Sequence, residues 1–248
     1  MILPNPKESR HKAWLYRLLM ALLDEPEIAS QIYFKGGTCA AMLGFLDRYS
    51  VDLDFDFKKG ADLEKLREKF HQIFEKINLK VKNEGRKVLQ FFLKYDSMPG
   101  QRNTLKLDLI DQVLTANQYQ VQYLSEISRF ANCQTIETMF AHKLVTIKDR
   151  FIKNETIAGR DIYDIHHFFL NGFKFLPEII KRRTGLTVGS YFRELVDFIE
   201  KKVTQTIINE DLNSLLPLEK YQAIRNSLKA ETLMFLKQEI EKQISDRK

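Results

Sequence analysis

The chain has 248 residues, of which 44% are hydrophobic and 29% are charged, so its length allows one large domain or two modest ones. No stretch approaches the roughly 20 consecutive apolar residues that a membrane-spanning helix needs. The N-terminal residues also lack the basic and apolar regions of a signal peptide. These features predict a cytoplasmic protein without a membrane partner. The net charge of +6 favours, without requiring, a polyanionic partner such as nucleic acid.

The first half of the chain alternates between helical and strand-like patterns, which indicates an α/β region. Apolar residues recur with a helical period in residues 9–24, and a short apolar run at 32–34 precedes two glycines. The predicted elements are helix 9–24, strand 32–34, helix 38–45, strand 51–57, helix 62–77 and strands 79–83, 88–95 and 104–110.

The pattern changes near residue 125, where strand signals fade and helical periodicity takes over. Helices are predicted over residues 135–150, 160–170, 177–183, 188–202 and 218–245. We therefore expect a core over residues 1–130 and a helical domain over residues 131–248. No metal-binding spacing links the cysteines and histidines, so these are interpreted as structural residues: Cys39, Cys133, His142, His166 and His167.

Gly36-Gly37-Thr38 joins the first predicted strand to the helix that follows it. Two glycines permit a tight turn and a close approach of the backbone to a ligand. The N–H groups that begin a helix attract anions, and Thr38 is placed to cap that helix and to offer a hydroxyl group. Taken alone, the pattern is more typical of an ordinary capped turn than of a phosphate-binding loop.

Three aspartates alternate with apolar residues in the next predicted strand. On a strand, Asp52, Asp54 and Asp56 share one face, while Leu53 and Phe55 share the other. Like charges at this spacing repel one another, and Mg²⁺, which prefers hard oxygen ligands, would offset that repulsion. A solvated acidic face explains the aspartates when they are taken alone. The glycine turn and the carboxylates together match the needs of a nucleoside triphosphate bound with magnesium.

A third carboxylate is expected on a neighbouring strand, and Asp108 lies in predicted strand 104–110. It alternates with two leucines, so its side chain can join the acidic face. We prefer it to Asp111, which faces the other way. With Asp52 and Asp54 it forms a set that can hold two magnesium ions for in-line displacement. Asp108 is also a candidate to accept the proton of an attacking hydroxyl.

The stretch from Lys35 to Phe55 resembles the first motif of the AbiEii/AbiGii group of nucleotidyltransferase toxins, in the polymerase-β-like superfamily. The family pattern is KGGTAL followed by RxSxDxDF, and here Cys39-Ala40 stands in place of Ala-Leu. Later segments match further motifs of the family in the same order: Leu107-Asp108-Leu109, Ala141–Arg150 and Arg160–Ile165. The four motifs cover residues 35–165, about half of the chain.

The resemblance implies an α+β fold, with a polymerase-β-like nucleotidyltransferase core, a mixed sheet with flanking helices, followed by a helical C-terminal domain. It implies that the nucleotide is bound by residues of the first motif, namely Gly36, Gly37, Thr38, Arg48 and Ser50. Two alternatives stay open there, since Ser50 could instead cap a turn and Arg48 could brace the loop. Asp56 lies beyond that motif, so its role stays open.

Two later motifs place charged residues on helices. Lys143 and Arg150 are seven residues apart and share a helix face, which could meet the terminal phosphates and stabilise the departing pyrophosphate. Asp161 is spaced to orient either of them by an ion pair, and the resemblance treats Lys143 and Asp161 as functional. Asp164 is interpreted as an acid that favours the helix dipole. We expect the active site in a cleft between the two halves of the chain.

The resemblance implies a toxin of a toxin–antitoxin or phage-defence system, with a cognate antitoxin as partner. Such an enzyme transfers a nucleoside monophosphate from an NTP to a hydroxyl acceptor, here expected to be tRNA, and releases pyrophosphate. Two alternatives remain open. One is a nucleotidyltransferase that modifies an antibiotic or another small molecule, and the other is a non-catalytic nucleotide-binding module.

Overall fold

The structure is a computed structural model that describes residues 1–58, 60, 62–110 and 113–245. Its contacts divide the chain into two compact units, Met1–Thr135 and Ile136–Lys248. Asp111, the alternative third carboxylate, lies outside the described residues. No helix within those ranges is long and apolar enough to cross a membrane.

The N-terminal unit is built around one mixed sheet. Its strands are β1 (Ile32–Lys35), β2 (Asp52–Phe57), β3 (Lys80–Glu84), β4 (Leu89–Lys94), β5 (Thr104–Ile110), β6 (Tyr119–Leu124) and β7 (Arg129–Gln134). They lie in the order β3-β4-β5-β2-β1-β7-β6. β2 runs parallel to β5 and β1 parallel to β7, whereas the other neighbours are antiparallel. β2, the strand with the three aspartates, therefore lies in the middle of the sheet.

Helices flank this sheet: α1 (Ser9–Leu23), α2 (Pro26–Ala29), α3 (Gly36–Met42) and α4 (Leu63–Lys76). The leucines that recur with a helical period in α1 are fully buried: Leu15, Leu18, Leu19 and Leu22. α4 begins where the Asp62 carboxylate accepts hydrogen bonds from two backbone N–H groups, as an N-cap does. The apolar face of β2, with Leu53 and Phe55, is fully buried. The opposite face of β2 therefore carries the aspartates.

The hairpin of β6 and β7 was not predicted, because strand signals were expected to end by residue 125. Its two strands pair antiparallel from Tyr119 with Gln134 to Leu124 with Arg129. The turn between them contains no glycine, proline or asparagine, and Ser128 itself adopts a positive φ of 53°. Since hairpins are recognised in a sequence chiefly by such turn residues, this one gave little local signal.

The C-terminal unit is helical, as expected. Its helices are α5 (Ile136–Asn154), α6 (Gly159–Leu170), α7 (Pro177–Thr184), α8 (Val188–Lys202), α9 (Gln205–Leu212), α10 (Leu218–Ile224) and α11 (Leu228–Ser245). The ring of Phe140 on α5 packs against those of Phe168 and Phe169 on α6, with centroids 5.1 and 4.7 Å away. The prediction of one helix over 218–245 was wrong, because the chain breaks between α10 and α11, and α9 was missed.

Candidate active site

Asp54 and Asp108 are direct neighbours in the sheet. The parallel register of β2 and β5 places Asp54 beside Asp108 and Asp52 beside Lys106. On the other side of β2, the antiparallel register places Lys35 of β1 beside Asp54. Paired residues of adjacent strands point to the same face. Asp108 thus lies on the same sheet face as the aspartates of β2, as its alternation with leucines predicted.

Gly36 brings the backbone directly against Asp54. Its φ is +77°, which is the left-handed region that glycine adopts without strain. A Cβ atom at this position would overlap the Asp54 carboxylate and would lie 3.0 Å from the Asp54 Cβ. The glycine is therefore required both by the turn and by the close approach. α3, which starts here, has only seven residues, so its dipole is small and gives little support for a phosphate site by itself.

Gly37 accommodates the side chains of Arg48 and Ser50. A Cβ at Gly37 would lie 2.9 Å from Ser50 Oγ and 3.0 Å from Arg48 Nη2. Arg48 is only 3% exposed, and its Nη1 donates a hydrogen bond to the carbonyl of Tyr49 over 2.8 Å. Arg48 thus braces the loop that leads into β2, and Ser50 lies beside the glycine turn.

Thr38 does not cap α3. The cap position belongs to Lys35, whose side chain makes no capping hydrogen bond, and the helix begins at Gly36. The Thr38 side chain is fully buried, and its hydroxyl donates to the backbone carbonyl of Asp52 at 2.5 Å. Its side chain therefore ties the glycine turn to the start of β2, and any contact of Thr38 with a phosphate would come from its backbone.

Asp54 lies in a poorly solvated environment. Burial and the charges of Asp52 and Asp108 raise the pKa of Asp54 to about 6, although Lys106 and Lys35 oppose the shift. Lys106 Nζ lies 2.9 Å from Asp108 Oδ2, and Gln90 Nε2 donates to the same oxygen at 3.2 Å. Burial disfavours the Lys106 ammonium, but the charge of Asp108, with those of Asp54 and Asp52, outweighs burial and raises the Lys106 pKa. The negative charge around Asp54 is thus only partly offset by Lys106 and Lys35.

Asp56 belongs to a separate hydrogen-bond network. It is only 2% exposed, and Lys35 Nζ lies 2.5 Å from its Oδ1. The hydroxyl of Tyr119 and the amide of Gln134 each donate to Oδ2 at 2.7 Å. Since both oxygens are engaged by protein donors, Asp56 joins β1, β2, β6 and β7 rather than facing a ligand.

The predicted three-carboxylate metal site is not assembled in the structure. Among the described residues, no group of three or more His, Cys, Asp or Glu side chains is arranged to hold a metal ion. Oδ2 of Asp108 is engaged by Lys106 and Gln90. The donor set still suits a hard divalent cation, because it consists of carboxylates and because the charges of Asp52 and Asp108 disfavour the ionised form of Asp54.

Lys143, predicted to contact phosphates, lies in a buried ion-pair cluster of the C-terminal unit. Its Nζ is 3.0 Å from Asp161 Oδ1 and 2.8 Å from Asp164 Oδ2. Arg150 Nε is 3.1 Å from Asp161 Oδ2. The face shared by Lys143 and Arg150 is therefore turned toward the start of α6, and Asp161 orients both cations.

Asp161 and Asp164 are both fully buried. Burial disfavours the charged form of Asp161, but Lys143 and Arg150 outweigh it and hold its pKa below the ordinary value. Asp164 was interpreted as a simple acid near the helix N-terminus, and the structure instead makes it a second partner of Lys143. Its spacing of three residues from Asp161 was the available signal, since such residues share a helix face.

Comparison with known proteins agrees with this architecture. No curated protein matches the chain in sequence. JHP933 from Helicobacter pylori superposes with a TM-score of 0.57 at 17% identity, covering 99% of this chain and 97% of that one. Another Helicobacter pylori structure, described as a nucleotidyltransferase, gives 0.59 at 18% identity, with coverages of 96% and 98%. These similarities show a shared fold over nearly the whole chain.

A third structure, the nucleotidyltransferase toxin MenT4 from Mycobacterium tuberculosis H37Rv, gives a TM-score of 0.52 at 17% identity. The superposition covers 93% of this chain and 84% of the MenT4 chain. The model of the nucleotidyl transferase AbiEii toxin family, of type IV toxin–antitoxin systems, matches residues 17–241. That match includes both the carboxylate strands and the Lys143 cluster. The chain therefore belongs to the AbiEii nucleotidyltransferase toxin family and is a nucleotidyltransferase.

Proposed function

We propose that the protein is a magnesium-dependent toxin that transfers a nucleoside monophosphate from an NTP to a hydroxyl group of tRNA. The observation that carries this proposal is the contact of the Gly36 backbone with Asp54, which is paired in register with Asp108. A glycine turn at the start of a helix thus lies beside paired carboxylates. The overall charge of +6 suits a polyanionic acceptor.

In the proposed reaction, the acceptor oxygen attacks the α-phosphorus of the NTP. A new phosphorus–oxygen bond forms, the bond from the α-phosphorus to the β-phosphate oxygen breaks, and pyrophosphate leaves. The hydroxyl proton passes to a carboxylate, for which we propose Asp108. Lys106 and Gln90 both bind its Oδ2, so Oδ1 is the oxygen that can take the proton.

Asp52, Asp54 and Asp108 would hold the magnesium. When bound there, magnesium supplies charge neutralisation for the triphosphate and lowers the pKa of the attacking hydroxyl. Gly36 and Gly37 admit the phosphates close to the backbone, with Thr38, Arg48 and Ser50 fixing the shape of that turn. These assignments rest on the donor chemistry and on the contacts within the N-terminal unit.

For the C-terminal unit, we propose that Lys143 and Arg150 stabilise negative charge on the triphosphate, with Asp161 as a positioning residue. The two buried carboxylates fix the Lys143 ammonium in one place, so it needs little reorganisation when an anion is bound. We further propose that the enzyme acts in the cytoplasm, that a cognate antitoxin controls it, and that it serves in phage defence.

The test is incubation with each labelled NTP, Mg²⁺ and total tRNA, followed by gel analysis of the RNA. We expect label in tRNA with the wild type, little with Asp54→Asn, and wild-type labelling with Asp96→Asn. Asp96 is a matched control because it is an exposed acid outside the carboxylate strands. Failure of the wild type to label tRNA, or equal labelling by Asp54→Asn, contradicts the proposal. Label found only on a small molecule identifies the antibiotic- or metabolite-modifying alternative instead.

A further inference from the structure

The hairpin of β6 and β7 carries an exposed aromatic pair. Among the described residues, Tyr123 and Phe130 are the only aromatic side chains that are mostly solvent-accessible, at 52% and 68%. They are cross-strand partners, with ring centroids 5.1 Å apart. Val121 lies on the same face of β6 and is 65% exposed. Exposed apolar clusters of this kind mark interaction sites more often than isolated exposed residues do.

This aromatic pair lies on the same sheet face as the catalytic carboxylates. Tyr33 of β1 pairs in register with Asp56, and its ring lies 4.3 Å from that of Tyr119 on β6. Tyr119 alternates with Val121 and Tyr123, so all three share that face. From the strand spacing and the rise per residue, Phe130 and Tyr123 lie roughly 15–20 Å from Asp54 across the sheet. A chain of a few nucleotides could span that distance along one continuous face.

The strands of the hairpin carry no acidic residue that would repel a polyanion. The segments 119–124 and 129–134 contain no Asp or Glu, and their one ionic residue, Arg129, is paired with Asp24. Glu126, in the turn, is neutralised by Lys12 at 2.7 Å. Asn132, the register partner of Val121, adds an amide to the same face. The two rings can stack on bases, the amide can hydrogen-bond to base edges, and no acid on the strands repels the phosphates. This combination suits unpaired bases.

We propose that Tyr123 and Phe130 form a stacking platform for unpaired bases of the RNA acceptor, which approaches Asp54 along this face of the sheet. The inference rests on the proposed function, since it assigns the acceptor of that reaction to a binding surface. Stacking on aromatic side chains tolerates many sequences. The platform therefore contributes affinity for single-stranded RNA and leaves the choice of acceptor to other contacts.

The test is fluorescence anisotropy with a labelled single-stranded RNA oligonucleotide and, separately, the same RNA as a duplex, both without NTP. We expect Tyr123→Ala/Phe130→Ala to bind the single strand about tenfold more weakly or worse, as loss of base stacking predicts. Tyr123→Phe should bind as the wild type does, because it keeps the ring. The matched control is Val88→Ala/Met98→Ala, which removes two apolar side chains that are 50% and 63% exposed elsewhere in the same unit. Circular dichroism establishes that each variant is folded.

The assay separates this inference from the proposed function. Asp54→Asn should lose transfer but keep its affinity for RNA, because it leaves the hairpin intact. Unchanged RNA binding by the double alanine variant overturns the platform, even if transfer to tRNA is observed. The platform is equally overturned if the variant keeps RNA affinity and loses binding to a co-expressed antitoxin, which would make the hairpin a protein-docking surface. Equal affinity of the wild type for the duplex and for the single strand would also contradict the stacking platform.

Discussion

The ammonium group of Lys106 lies 2.9 Å from the carboxylate of Asp108, two positions farther along the same strand. The register of β2 and β5 also places Lys106 beside Asp52. In the protein alone, therefore, a lysine provides the positive charge that the carboxylates require. A divalent cation that binds the same carboxylates competes with it.

Replacing Lys106 tests this competition. We expect Lys106→Met to bind Mn²⁺ about tenfold more tightly than the wild type, because the cation no longer displaces an ion pair. In a chelator, the variant should be less stable than the wild type, since Asp108 loses its partner. Isothermal titration calorimetry and urea unfolding measure the two effects. Lys94→Met, which changes an exposed lysine on the adjacent strand β4, should alter neither, and equal Mn²⁺ affinity for wild type and Lys106→Met would contradict the prediction.

The raised pKa of Asp54 predicts a pH-dependent cost to stability. The pKa of this carboxyl is about 6 when folded, against an ordinary value of 3.8, so the native state binds the proton more tightly than the unfolded state does. Stability is lost as the pH rises from about 4 to about 6, and the full cost above that range is about 3 kcal/mol. Asp54→Asn removes the ionisable group and should therefore be more stable than wild type at pH 8.

Urea unfolding in a chelator at pH 5, 6.5 and 8 measures this effect. The advantage of Asp54→Asn should shrink at pH 5, where much of the native Asp54 is already protonated. Asp96→Asn, at an exposed site, should show no such trend. A constant stability difference across the three pH values would rule out a raised pKa as its cause.

Gly36 and Gly44 form a natural pair for testing the close approach to Asp54. Both have a φ of +77°, but a Cβ at Gly44 meets no atom within 4 Å, whereas a Cβ at Gly36 overlaps the Asp54 carboxylate. Gly44→Ala should cost about 1 kcal/mol from the left-handed backbone alone. Gly36→Ala should cost more and should also weaken NTP binding, because Asp54 must move. If the two variants have equal unfolding free energies and both keep the wild-type NTP affinity, then the contact with Asp54 is not what requires glycine at position 36.

Much of the N-terminal unit could be predicted from local patterns. Alternation of Asp52 and Asp54 with apolar residues predicted their shared face, and the same rule placed Asp108 with them, as the register confirms. The role of Lys106 was accessible by the same reasoning, since it lies two residues before Asp108. It was not predicted, because alternation along a strand indicates which residues share a face and not which of them form an ion pair.

Other features depended on contacts between distant segments, which a local pattern does not encode. Thr38 has the chemistry of a helix cap, yet its hydroxyl is used by the carbonyl of Asp52 on another strand. Asp56 lies on the same face of β2 as Asp54. Its carboxylate accepts hydrogen bonds from Tyr119 and Gln134, which are more than sixty residues away in the sequence. Spacing therefore indicated which residues share a face, whereas tertiary hydrogen bonds decided which of them remain available to a ligand.

The ion pairs of Lys143 predict that replacing this lysine destabilises the protein and that a second substitution restores part of the lost stability. Lys143 is 19% exposed, whereas Asp161 and Asp164 are fully buried. Lys143→Met leaves two buried acids facing each other and should destabilise the protein by about 3 kcal/mol at pH 8. Adding Asp164→Asn removes one of the charges, so the double variant should recover a substantial part of that loss.

Urea unfolding of the single and double variants measures the coupling between Lys143 and Asp164. Lys148→Met is the matched control on the same helix, since its partner Glu194 is 52% exposed, and pairs that reach solvent contribute less than about 1 kcal/mol. Because Arg150 still neutralises Asp161 in every variant, Asp164 is the carboxylate to neutralise when its contact with Lys143 is lost. If the double variant is less stable than Lys143→Met alone, then Asp164 contributes through contacts other than this ion pair, and the buried lysine is not what keeps it charged.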